Sequence, residues 1–251
     1  MRTGPADQPW RSALLPSLAG RSRVSAPDRV LVRLASPALF TGSGGGTGVA
    51  TDEHGLPHLP RHRLAACLRT GADAALVLTP HLSWAAEELF GRPGSHGPDR
   101  ILRLGHAGAD QQTRAVVARA LAGRTEPEHT TLRRALTRAR TVVETSTAVG
   151  TDGAPEPGRL RTHRALLPGT ALTAALTWAR TPAPEHWLLL ARACLATDRI
   201  GARTRRGRGR VEVRLAAPGT TDPDALTLAL ASPPGKEAAP GRGTGPDGEE
   251  V

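Results

Sequence analysis

The chain has 251 residues, 39% of them hydrophobic, which suffices for one ordinary domain or two small ones, although 41 of those residues are alanine. No apolar run approaches 18 residues, no Cys-x-x-Cys pair exists, and the only aromatics are Trp10, Phe40, Trp84, Phe90, Trp178 and Trp187; a membrane-spanning helix, a zinc ribbon and a base-stacking sheet of Tyr and Phe are excluded. The formal charge of +10 is carried almost wholly by Arg, since Lys236 is the only lysine, and residues 232–251 run the other way with four acids against two cations. A basic body rich in Arg forks points to a polyanion partner, with a merely solvated basic surface as the alternative. The polar N-terminus lacks a signal-peptide core, and Cys67 and Cys194 lie far apart, so a reduced, cytoplasmic setting is expected.

Residues 1–28 read as a loosely ordered lead-in. Val30, Val32 and Leu34 alternate with Leu31 and Arg33, which predicts a strand. Residues 51–55 (Thr-Asp-Glu-His-Gly) suit a tight turn. A helix is expected over 61–70, with Leu64, Cys67 and Leu68 on one face and Gly71 as its stop. Ser83 reads as the cap of a short helix ending before Gly91. Pro93, Gly94, Gly97 and Pro98 mark a loop, and Ile101, Leu102 and Leu104 a short strand.

Helices follow at 111–121 and 126–139, the second opened by a Thr125/Glu128 capping box. Val142 and Val143 begin an extended piece, and 150–158 is a loop. Alternation over 171–178 predicts a half-buried strand, and Thr181-Pro182 opens a helix to 197 with Pro at its first position. A strand is expected over 210–216, and Leu226, Leu228 and Leu230 alternate as a final strand. Residues 232–251 have the composition of a disordered tail. The strong elements trace most of an α+β, ferredoxin-like (RRM-like) βαββαβ plan, with insertions after the first strand and the first helix. The folded domain is expected over 29–231.

Two glycine-bearing segments stand out. Gly42–Gly48 is neither a Walker A loop nor a GxGxxG fingerprint, and reads as a flexible loop or a backbone lying close to a ligand. Residues 201–210 alternate Gly with five Arg between a helix and a strand. Glycines free N–H groups to face an anion, and each guanidinium grips a phosphate, so this loop is the leading candidate for backbone binding.

Three stretches, in order, resemble the RAMP superfamily of CRISPR-associated proteins. The first is Ala38-Leu39-Phe40-Thr41-Gly42, followed by Asp52-Glu53-His54-Gly55-Leu56-Pro57-His58-Leu59-Pro60 and a helix with Leu64 and Leu68. The second is Leu89-Phe90-Gly91. The third is Ile200-Gly201 through Gly207-Arg208-Gly209-Arg210-Val211. Arg164 to Leu176 is similar to the segment before the family's penultimate core strand. The resemblance is nearest to backbone subunits of type III effector complexes. It implies an RRM-like core that binds CRISPR RNA and target RNA alongside other effector subunits in antiviral defence. In cleaving members an Asp after the first strand cuts target RNA with a divalent metal; here that place is Gly46, which implies a non-enzymatic subunit with no cofactor.

The expected RNA-binding residues are Gly201, Arg203, Arg205, Arg206, Gly207, Arg208, Gly209 and Arg210, with Arg61, Arg63 and Arg69 adding charge from the first helix. The alternative is a ribonuclease. Asp52, beside Glu53 and His54, is the catalytic candidate, with Mg²⁺ as its metal; the plain reading is a polar turn. His58 or His62 is a conceivable general base for repeat processing. No third ligand accompanies this pair, so zinc is not expected. Trp178, Trp187, Cys67 and Cys194 read as core residues.

Overall fold

A computed structural model describes residues 25–40, 49–92, 100–147 and 161–232. The Gly42–Gly48 run with Gly46, the 93–98 loop, the 150–158 loop, residues 1–24 of the lead-in and residues 233–251 of the tail lie outside them.

The chain is α+β. Its larger sheet joins β1 (Arg29–Leu34), β2 (Leu102–Leu104), β5 (Ala171–Trp178) and β6 (Val211–Ala216) in the order β2-β5-β1-β6, every pair antiparallel. Alternation decides its faces. Val30, Val32, Leu34, Leu172, Ala174, Leu176, Val211, Val213 and Leu215 are buried on one side. Arg33, Ala171, Ala175, Thr177 and Glu212 are exposed on the other.

Two long helices share the core of the apolar side, α1 (Arg61–Leu76) and α5 (Pro184–Ala196), which pack on each other. The expected stop at Gly71 is thereby corrected. Gly71 sits inside α1, and a Cβ there would lie 2.4 Å from the Ala193 carbonyl oxygen and 2.5 Å from Thr197 Oγ1. The glycine permits close helix approach; the Ala-rich run after it continues the helix.

Other boundaries also move. Ser83 is the first residue of α2 (Ser83–Phe90), not its cap, because a 3₁₀ turn, Pro80–Leu82, leads directly into the helix. Helix α5 takes Pro184, not Pro182, at its first position. The expected last strand is a helix, α6 (Pro223–Ala231). Asp222 accepts the Ala225 N–H at 2.9 Å. Leu226, Thr227 and Leu230 turn inward at helical spacing while Leu228 stays exposed. Asp222-Pro223 was the readable cap signal, and the leucine alternation obscured it.

The large insertion falls between β2 and β5. It comprises α3 (Gln111–Leu121), α4 (Glu126–Ala139) and a hairpin of β3 (Thr141–Ser146) and β4 (Arg161–Leu166). Both helices match the sequence bounds. Glu128 accepts the Thr125 N–H at 2.8 Å, as the capping box requires, and also the Thr125 hydroxyl at 2.8 Å. Leu56, Ala109, Val117 and Leu121, with Leu132 and Leu136 against them, make a second small core. Strand β4 escaped the sequence reading because Arg161-Thr-His-Arg has no apolar alternation.

Candidate nucleic-acid interface

The loop from Ile200 to Arg210 is built by hydrogen bonds to the segment leaving β1. The Ala202 N–H donates to the Leu39 carbonyl at 3.1 Å, and the Gly209 N–H to the Pro37 carbonyl at 2.8 Å. The Arg210 N–H donates to Ser36 Oγ at 2.9 Å. Residues 36–40 thus carry the Gly/Arg loop. Phe40 and Ala50, flanking residues 41–48, are joined by a 2.8 Å hydrogen bond from the Ala50 N–H.

The glycines serve this packing. Gly209 (φ +69°) would place a Cβ 2.0 Å from the Ile200 carbonyl oxygen, and Gly201 (φ +98°) would place one 2.8 Å from the Leu39 carbonyl oxygen. Burial raises the pKa of the Cys67 thiol on α1, and the Gly201 backbone beside it partly opposes the rise. The Gly209 N–H is thus spent inside the protein, on the Pro37 carbonyl. Gly207 (φ +76°) has open space around its Cα.

What the loop presents is side chains. Arg205 and Arg206 are exposed on a 3₁₀ turn, Thr204–Arg206, and Arg210 is exposed at the start of β6. Arg203 begins the turn in the left-handed region (φ 61°), the only non-glycine residue there among the described residues. Holding it so costs about 1–3 kcal/mol, a strain that persists only where the surroundings impose it. The Arg199 guanidinium braces the turn through the Thr204 carbonyl at 2.6 Å.

Arg208 behaves differently. Its Nη2 lies 2.8 Å from Glu144 Oε2 on β3, with the two side chains 18% and 23% exposed. This guanidinium ties the loop to the hairpin, which sequence spacing gave no way to see. Arg69 is also committed: its Nη2 donates to the Gly91 carbonyl at 2.7 Å, closing the end of α2. Arg61 is exposed at the start of α1, and Arg63, two residues on in its first turn, is half-buried. That helix carries no acid in its first turn and no side-chain cap, so its positive end adds to theirs.

Asp52 is a turn residue. Its Oδ1 accepts the N–H groups of His54 (3.0 Å) and Leu56 (2.9 Å), and its own N–H donates to the Leu56 carbonyl. Gly55, at φ +78° in this turn, packs directly on Arg133 of α4. Among the described residues no group of three His, Cys, Asp or Glu is placed to hold a metal ion.

His58 precedes the helix that carries His62, so the two do not share a face. His58 meets His106 edge-on with ring centroids 4.9 Å apart. Burial chiefly, and then His106, hold its pKa below the usual value, with Asp52 opposing. Trp178 and Trp187 are half-buried against the core, and the Trp178 indole donates to the Pro27 carbonyl at 2.9 Å. Cys194 is fully buried, and desolvation pushes its pKa up to about 12.

No family model matches the chain, and no curated protein matches it. Solved structures do. A chain of the type III-B Cmr-beta cryo-EM structure bound to cognate target RNA superposes with a TM-score of 0.53 at 11% identity, covering 76% of this chain and 98% of that one. This chain has the fold of that Cmr-beta chain. A chain of the Cmr-beta apo-state structure gives 0.52 at 9% identity, over 75% and 96%. No helix among the described residues is long and apolar enough to cross a membrane.

Proposed function

We propose that the chain is a RAMP-type, RNA-binding subunit of a type III-like CRISPR effector complex in the cytoplasm, one that grips the guide RNA through its ribose-phosphate backbone and works beside other effector subunits. The observation that carries this reading is the braced Gly/Arg loop, which holds Arg205, Arg206 and Arg210 in solvent on a strained, well-anchored turn. Arg203 begins that turn, and Arg61 and Arg63 extend the positive surface onto α1; Arg69 and Arg208 hold the fold. Two further observations agree. The strand order β2-β5-β1-β6, with α1 and α5 on one face, fits a ferredoxin-like plan. The Cmr-beta likeness supplies a precedent in an RNA-bound assembly. Nothing in the described turn around Asp52 favours cleavage, so the subunit is read as a binder.

Backbone contacts carry no base information, so affinity is expected to be similar for unrelated single-stranded RNAs and to fall steeply with salt. Replacing Arg205 and Arg206 by Ala lowers the slope of log affinity against log salt by about 1.4, at roughly 0.7 per phosphate contact on single strands. Fluorescence anisotropy with two unrelated RNAs measures both quantities. A slope left unchanged by R205A/R206A removes the loop from the interface.

A further inference from the structure

A second cationic surface lies on the other flank of α1. A groove of about 580 Å³ opens there between the first half of α1, the end of α2 and the edge strand β2. Arg61, Arg69, Arg100 and Arg103 line it together with buried Phe90 and Leu102, and among the described residues no carboxylate does. Arg61, Arg100 and Arg103 are exposed, and none forms an ion pair among the described residues. Arg69 is held by the Phe90 and Gly91 carbonyls at the end of α2.

The groove's position is what gives it meaning. On α1 successive residues turn by about 100°. Cys67 points to the Gly/Arg loop, while His62, Ala66 and Arg69 point to the groove. The exposed ridge of the helix, with Thr70 on it, separates the two surfaces, and Arg61 lies on the groove side at the helix start. Fixed cations beside an apolar floor suit one chemistry, a strand whose phosphates meet Arg and whose bases turn toward hydrocarbon.

We propose that this groove is a second site for single-stranded RNA, binding a stretch of the strand that continues from the Gly/Arg loop across the first turn of α1. The inference rests on the RNA-binding reading and adds Arg100 and Arg103 as phosphate ligands, with Phe90 and Leu102 forming the floor beneath a base.

The test is the salt dependence of affinity for a labelled single-stranded RNA long enough to span both surfaces. R100A/R103A is expected to lower the slope by about 1.4, and combining it with R205A/R206A to lower it by about 2.8. The pair R119A/R134A, on exposed positions of α3 and α4 outside the groove, is expected to leave it unchanged. If R100A/R103A matches the parent while R205A/R206A falls, the groove is not a site and the loop reading stands. If R119A/R134A falls as far as R100A/R103A, binding is diffuse and the groove inference is overturned. If R205A/R206A has no effect while R100A/R103A falls, RNA enters the groove without touching the loop, and the loop reading and the continuous path proposed here both fail. R100K/R103K, which keeps both charges, is expected to retain the parent slope; a slope lost there, with circular dichroism unchanged from the parent, overturns the assignment of Arg100 and Arg103 as phosphate ligands.

Discussion

Exchanging both members of the Glu144–Arg208 pair for Gln separates a structural guanidinium from a phosphate ligand. The two groups lie 2.8 Å apart and are mostly shielded from water, so their charges cancel locally and the pair adds no net charge to the loop. E144Q/R208Q therefore keeps the net charge and leaves no lone buried ion, which is the costly outcome of removing one partner. If Arg208 only positions the hairpin, the salt slope for single-stranded RNA stays at the parent value. If Arg208 leaves Glu144 to contact RNA, one phosphate contact is lost and the slope drops by about 0.7. Between roughly 50 and 200 mM salt that is a difference of about 2.6-fold in relative affinity, within reach of anisotropy titrations. The single variant E144Q releases Arg208, and its slope is expected to rise by up to about 0.7. A double variant whose slope falls by that amount refutes the assignment of Arg208 as a positioning residue.

Two predictions concern stability. G71A gains helix propensity worth about 1 kcal/mol, but its methyl group has no room against Ala193 and Thr197, and overpacking of this kind costs about 1–3 kcal/mol or more; urea unfolding is expected to show a lower midpoint with an unchanged m-value, and a stabilised variant overturns the close-approach argument. His186 is buried, accepts the Ala183 N–H on Nδ1 at 2.9 Å and donates from Nε2 to Glu88 at 3.0 Å. Burial holds its pKa below the usual value, with Glu88 opposing. The folded state keeps it neutral and the unfolded chain protonates more readily. Its contribution is therefore complete above about pH 6.5 and is lost as pH falls below that, by at most about 1.4 kcal/mol per pH unit. Thermal melts from neutral to mildly acidic pH are expected to show this decline, and H186Q to flatten it.

Local pattern determined much of this protein by itself. The alternation in β1, β5 and β6, the bounds of α3 and α4 and the Thr125/Glu128 box were readable because each depends on side chains within a few residues. The Gly/Arg loop was readable as a charged connection between two strong elements. Tertiary structure decided the rest. Gly71 reads as a stop in the chain and becomes a contact in space, because the atoms that demand a glycine belong to α5. Gly209 looks like anion-facing backbone, yet its N–H goes to the Pro37 carbonyl, distant in sequence. Of five similar arginines in the loop, only packing singles out Arg208, because Glu144 reaches it from a hairpin whose second strand has no apolar signature. The groove of Arg61, Arg100 and Arg103 exists only once a helix start and an edge strand come together. Periodicity records which face of an element is buried; it does not record what that face meets.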